Sequence, residues 1–218
     1  MPLDELIAHR ASELTAYQNK AYADRYLAKV EKVRAAEAPL GSTDLTRAVA
    51  VSLYKLMAYK DEYEVARLYS DGRFAKHRAE TFKGGKAKVW LAPPLLARKG
   101  PDGKPMKMAF SPWMLDLAFP TLAKLKGLRG SPLDIFGRTA ERRMERGLIM
   151  DFEADLDRLL AGLNKERLHL AVKLAEVPQQ IRGFGHVKDA SVGLAKAEAK
   201  RLWSEWQKVG ATELVGAQ

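Results

Sequence analysis

The run Arg182-Gly183-Phe184-Gly185-His186-Val187-Lys188 is where residue types and spacing best suit the binding of an anion. Gly183 and Gly185 reach backbone geometry closed to other residues. The run leads straight into a helical pattern, whose first amides and dipole favour negative charge. Arg182 offers a guanidinium fork and Lys188 a point charge, with His186 between them. A phosphate or a carboxylate suits this set. A tight inter-helix turn, with Phe184 plugging the core and His186 capping, is the other reading. The run is neither a Walker loop nor a dinucleotide fingerprint after a strand.

Two further clusters carry charge. Asp61 and Glu62, within Tyr59-Lys60-Asp61-Glu62-Tyr63, could do acid–base work if buried beside a substrate. Otherwise they form an exposed face, with Tyr59 and Tyr63 in the core and Lys60 paired to Glu64 one turn on. Arg138, Glu141, Arg142, Arg143, Glu145 and Arg146 open a long helical stretch. Arginines there oppose the helix dipole unless they pair. They are expected to reach carboxylates elsewhere, such as Asp134 or Asp61, or else to form a docking face.

Between residues 73 and 107 the chain is strongly basic. Lys83, Lys86, Lys88, Arg98, Lys99 and Lys104 are the candidate docking surface, joined by Arg73, Lys76, Arg78 and Lys107 and opposed only by Glu80 and Asp102. The whole chain has a net charge of +10 and a pI near 9.7. Such a surplus favours an acidic protein, a phosphorylated ligand, an anionic lipid or nucleic acid, with Trp90 as a stacking platform in the last case. A solvated, lysine-rich loop is the plainer reading.

Other chemistries lack their residues. With no cysteine in 218 residues there is no disulfide, no thiolate nucleophile and no cysteine-held iron–sulfur cluster. His9, His77, His169 and His186 show no metal-ligand spacing, and no Gly-x-Ser-x-Gly elbow occurs. No apolar run approaches the roughly 20 residues of a membrane span. Asp4 and Glu5 stand where a signal peptide would need its apolar core, so a cytoplasmic setting is expected. With 47% hydrophobic and 29% charged residues, the chain is globular in composition.

The elements that must position these residues follow from periodicity. Leu6, Leu14, Tyr17, Tyr22, Tyr26 and Val30 recur at helical spacing over residues 3–38, stopped by Pro39-Leu40-Gly41. Ser42 or Thr43 caps a second helix carrying Leu45, Val49, Leu53, Leu56 and Met57. The pattern continues or restarts through residues 62–82, with a break or bend at Asp71-Gly72. Residues 88–91 and 107–110 read as short strands of a hairpin-like pair, around Pro93-Pro94 and the turn at residues 101–105. Helical spacing returns over residues 112–125, with Trp113 and Leu117 inward and Pro120 kinking or splitting it. Thr139 caps a long helix to residue 160, Asn164 caps the next, and residues 187–209 form the last. The expectation is a mainly α single domain over residues 1–218, with six to seven helices. Its helical body spans residues 3–82 and 112–209, and a small β excursion covers about 83–111. Its core holds Leu53, Leu56, Trp113, Leu148, Phe152, Leu156, Leu170, Leu174 and Leu202.

Four islands occur in order: Tyr59-Lys60-Asp61-Glu62-Tyr63-Glu64-Val65-Ala66-Arg67-Leu68-Tyr69, Leu91-Ala92-Pro93-Pro94-Leu95-Leu96-Ala97, Thr139-Ala140-Glu141-Arg142-Arg143-Met144-Glu145-Arg146 and the 182–188 run. Ser111-Pro112-Trp113-Met114 and Leu125-Lys126-Gly127-Leu128-Arg129-Gly130 fit the same pattern. Together they resemble the C-terminal domain of large bacterial indolepyruvate ferredoxin oxidoreductases, from about Leu3 to about Trp206. Those enzymes oxidatively decarboxylate aryl-pyruvates to acyl-CoA with thiamine diphosphate and iron–sulfur clusters, passing electrons to ferredoxin. The resemblance implies a fragment of a larger chain and an accessory or assembly role. It implies docking of neighbouring domains, ferredoxin, CoA or a second copy, and no cofactor or catalytic residue in this chain. A free-standing basic helical protein that binds nucleic acid is the alternative.

Overall fold

The computed structural model describes residues 1–82, 89–91, 106, 108–111 and 117–216. Mainly helical, it falls into two compact units. Unit 1 combines Met1–Tyr59 with Arg143–Gln218, and unit 2 is Lys60–Arg142. Nine α-helices occur among the described residues, against the six to seven expected.

The difference begins in the first stretch. It is two helices, α1 (Leu3–Tyr17) and α2 (Lys20–Glu37). No glycine or proline separates them. Asn19 does, because its backbone is extended and its side chain accepts the Tyr22 amide at 2.9 Å. An asparagine so placed supplies a missing partner to the first turn of a new helix. The break lets α1 fold against α2, burying Leu14 and Tyr17 from one and Tyr26, Val30 and Val33 from the other.

Helix α3 (Asp44–Met57) packs on both. Ser42 accepts the first amide of the helix, that of Asp44, at 3.1 Å, as expected, but neither it nor Thr43 caps the Leu45 and Thr46 amides. Glu37 does so from the end of α2, accepting Leu45 N–H at 2.9 Å and Thr46 N–H at 2.8 Å. The Thr46 hydroxyl adds a third bond at 2.6 Å. Glu37 is wholly buried, so its charge is met by amides and the positive end of the helix dipole. Tyrosine hydroxyls serve the other end. Tyr22 donates to the Met57 carbonyl at 3.0 Å and Tyr17 to that of Tyr59 at 2.9 Å.

Unit 1 is completed by α7 (Ala140–Ala161) from Arg143 onward, α8 (Leu168–Glu176) and α9 (His186–Gly216). Of the expected core, Leu53, Leu56, Leu148, Phe152, Leu156, Leu170, Leu174 and Leu202 are all buried. Trp113 lies outside the described residues. Asn164 accepts the Arg167 amide at 2.9 Å, one turn ahead of α8 proper.

Unit 2 contains α4 (Glu62–Ser70), α5 (Arg73–Thr81), β1 (Val89–Leu91), β2 (Met108–Phe110) and α6 (Phe119–Lys124). Gly72, at φ +83°, separates α4 from α5. The strands pair antiparallel with Trp90 opposite Ala109. Most of the segment joining them lies outside the described residues. Pro120 sits in the first turn of α6, where its missing N–H costs nothing. A π-helical turn at residues 117–118 leads directly into α6, so the helical path is split near the proline, one of the two outcomes expected. Leu117, expected inward, lies in that turn and is 67% exposed. Phe110 and Phe119 instead pack with Ala66 of α4.

Replacing Glu37 with Gln removes the charge from the α3 cap and leaves one oxygen for three donors. The expected loss is about 1.5–3 kcal/mol, the usual worth of hydrogen bonds to a charged group. It would be read from the shift in urea midpoint at unchanged slope.

Candidate functional site

In unit 1 the 182–188 run enters α9 as the spacing suggests. Gly183 has φ +89°, and a Cβ there would lie 2.5 Å from Val187 Cγ1. Gly185 has φ +53°, and its carbonyl accepts the Asp189 amide at 3.0 Å. Ser191 closes the turn from one helical turn further on. Its hydroxyl accepts the Arg182 amide at 3.0 Å and lies within reach of the Arg182 and Lys188 carbonyls.

Phe184 does not plug the core; it is 68% exposed. With Gly183 and Gly185 both left-handed, the backbone loops outward and carries the ring with it. Arg182 and His186 are exposed too. Lys188 donates to buried Glu145 of α7, so one candidate cation is held by a carboxylate.

A third cation joins them that no local pattern signals. Lys55 of α3 donates to the Gln179 carbonyl at 2.7 Å. Burial, then the positive charges of Arg182 and Lys188, push its ammonium below the ordinary lysine value. Lys55, Arg182 and Lys188 thus share one neighbourhood with Glu145 as a counter-charge. Such a grouping can hold an anion electrostatically.

In unit 2 the Asp61 cluster is internal, not the exposed face expected. Asp61 is buried and caps α4, accepting the Glu64 amide at 2.8 Å. Arg129, in the 125–130 island, donates to its two oxygens from Nε and Nη2, at 2.5 and 2.8 Å. That guanidinium also sits 5.4 Å from the centre of the Tyr63 ring. Glu62 faces Arg142 at 3.6 Å, and burial pushes its carboxyl up against the pull of that charge. Glu64 pairs with Arg67 at 2.7 and 2.8 Å rather than with Lys60. Asp134 is buried as well, and accepts the amides of Gly130 and Gly137 at 2.9 Å. The Tyr63 hydroxyl approaches it at 3.3 Å, and burial beside that carboxylate pushes the phenol up to about 12.

Of the early α7 arginines, Arg142 reaches a carboxylate elsewhere in the chain, as expected, though neither of the two named as examples. Arg142 meets Glu62, whereas Asp61 takes Arg129 and Asp134 takes backbone amides. Thr139 caps α7 through the Arg142 amide at 3.3 Å.

The docking candidates Lys83, Lys86, Lys88, Arg98, Lys99 and Lys104 lie outside the described residues. Of their neighbours, Lys76 and His77 are exposed, Trp90 is 60% exposed, and Arg73 pairs with Asp71 at 2.8 Å. Among the described residues no group of three or more histidine or acidic side chains could hold a metal, and no helix is long and apolar enough to cross a membrane.

A family model described only as a family of unknown function, DUF6537, matches residues 3–201. The chain belongs to that family. No curated protein and no solved structure matches this DUF6537 chain.

Two outcomes follow from the geometry. Arg129→Met strands Asp61 in the interior, at an expected cost of about 3–5 kcal/mol in urea unfolding. Adding Asp61→Asn to it should recover part of that loss. For Lys55 the folded chain favours the neutral amine. Just below the ordinary value of 10.5 the unfolded chain therefore holds more protons, and stability rises with pH through that window. Lys55→Gln should flatten the rise. Inorganic phosphate bound beside the three cations should move the Lys55 titration, followed by NMR of its side chain, back up.

Proposed function

We propose that this DUF6537 chain is an accessory assembly domain of a larger oxidoreductase of the indolepyruvate ferredoxin type, with no catalytic site of its own. One observation carries the reading. Asp61 and Glu62, whose spacing makes them candidates for chemistry, and two further acidic residues of the islands, Glu64 and Glu145, are engaged in ion pairs. Asp61 meets Arg129, Glu62 meets Arg142, Glu64 meets Arg67, and Glu145 meets Lys188. A carboxylate held in this way is a structural anchor rather than a base waiting for a proton.

The ordered islands support the parentage. The surplus of +10 supports a docking role toward an acidic partner, with ferredoxin or the phosphates of CoA as the family's acidic components. In this reading the thiamine diphosphate and the clusters reside in neighbouring domains, and the setting is cytoplasmic.

An antibody raised against the chain, used on extract of its source cells, tests the parentage. A band several times heavier than 24.3 kDa is expected. A band at the chain's own mass would overturn the proposal and leave a free-standing basic protein. Nucleic-acid binding would then show as a log affinity falling linearly with log salt. In the intact enzyme, changing Lys86, Lys88, Lys99 and Lys104 to Glu should lower kcat/KM for ferredoxin and spare turnover with a small neutral electron acceptor.

A further inference from the structure

We propose that unit 2 binds the surface of an anionic lipid bilayer through the loop at residues 132–135, which seats at the headgroup level without crossing the membrane. The loop holds two large aliphatic side chains in water, Leu133 at 70% and Ile135 at 59% exposure. Pro132 beside them is exposed as well. Clustered exposed aliphatics mark an interaction surface. The backbone gives these two no way inward. Asp134, between them, is buried and accepts the Gly130 and Gly137 amides at 2.9 Å. Its own amide donates to the Ser131 carbonyl at 3.0 Å, and the Leu133 amide to the Ser131 hydroxyl at 3.2 Å. Phe136 meets Tyr63 edge-on, with 5.2 Å between ring centres. With Asp134 pinned inward, the residues on either side of it face out. The knob is thus ordered before any partner arrives, which lowers the entropy lost on binding.

Charge chooses the partner. Over residues 117–140 the acidic residue is Asp134 alone, and it is buried. The next acid, Glu141, is half-buried. The exposed charges of the stretch, Lys124 and Arg138, are both positive. Arg138 stands at the foot of the knob and donates to the Pro132 carbonyl at 2.8 Å. An apolar tip backed by cations, with no exposed acid, matches the layering of a bilayer with anionic headgroups over apolar chains. The cytoplasmic leaflet is such a surface. A convex tip enters lipid directly, whereas a protein partner would need a pocket of matching shape. Small apolar anchors hold a membrane only marginally until a basic surface adds its attraction. The surplus of +10 supplies that second contribution.

Cosedimentation of the 218-residue chain with vesicles tests this, phosphatidylcholine alone against phosphatidylcholine mixed with phosphatidylserine at physiological ionic strength. The serine lipid should raise partitioning by about tenfold or more. Leu133→Ser with Ile135→Ser should lower it by about tenfold or more, at an unchanged urea midpoint. Met150→Ser with Leu194→Ser, at comparably exposed positions of unit 1, should leave it unchanged. Tryptophan fluorescence gained in Ile135→Trp should be quenched by lipids brominated in their acyl chains. Absence of sedimentation with the phosphatidylserine vesicles would overturn the proposal. So would equal sedimentation of the Leu133 and Ile135 double variant, which would leave surface charge alone as the cause, or an equal loss in the Met150 and Leu194 control. Capture of an acidic protein through Leu133 and Ile135, with the vesicles ignored, would assign the knob to a protein partner and overturn it likewise.

Discussion

An ionised carboxylate does not enter a protein interior unless something there meets its charge. This chain takes in several, and the way each is met organises the structure around it. Glu37 is met by the first amides of α3, which fixes the turn from α2 into α3. Asp61 is met by Arg129, which ties the start of α4 to the 125–130 segment. Asp134 is met by the amides of Gly130 and Gly137, which folds the connection before α7 around a single side chain. Glu145 is met by Lys188, which fixes the first turn of α9 against α7. Apolar burial supplies most of the driving force in such a fold, but it is non-directional. These four contacts are directional, and each sits at a junction that apolar packing alone would leave free to shift. Removing one partner leaves an uncompensated charge, so each junction is rigid as well as specific.

The sequence pattern disclosed the faces of the helices better than their ends. Leu53, Leu56, Leu148, Phe152, Leu156, Leu170, Leu174 and Leu202 are buried as expected, because helical periodicity reports which side of an element faces inward. It does not report where one helix stops and another begins on the same face. Residues 3–38 keep their period across the break at Asn19, so they read as one helix. The only local signal was an asparagine in a run without glycine or proline. The α3 cap was legible only in part, for a related reason. Ser42 caps locally, at the Asp44 amide, while Glu37 reaches the next two amides from across a turn. Leu117 reads as inward when the α-helical period is extended back through Pro120, but residues 117–118 turn in the wider π geometry, which shifts the face.

The charged clusters were legible as clusters and not as pairs. That early-α7 arginines need carboxylates follows from the helix dipole alone. Which carboxylate they meet depends on where the chain returns in space. Arg129 lies 68 residues from Asp61, and Lys188 lies 43 from Glu145. Lys55 carried no signal at all, since on α3 it is an ordinary lysine among apolar residues. Its role at the head of α9 exists only because α3 and the turn at Gln179 come together.

This pairing bears on the charge presented to a partner. Among the described residues the buried charged set is Glu37, Asp61, Glu64, Asp134 and Glu145 against Arg129 and Arg142. More negative than positive charge has been drawn inside. The remainder of the chain is therefore more positive than the overall +10. Carboxylates fixed among amides and guanidinium groups in the interior also do little to screen lysines at the surface. At physiological ionic strength the field of those lysines decays over about 8 Å, so it acts on a partner at close approach rather than from afar. Anchoring carboxylates inside and leaving the cations outside thus arise from one distribution of residues. The same arrangement that holds the helices in place leaves the excess of positive charge to the remaining residues.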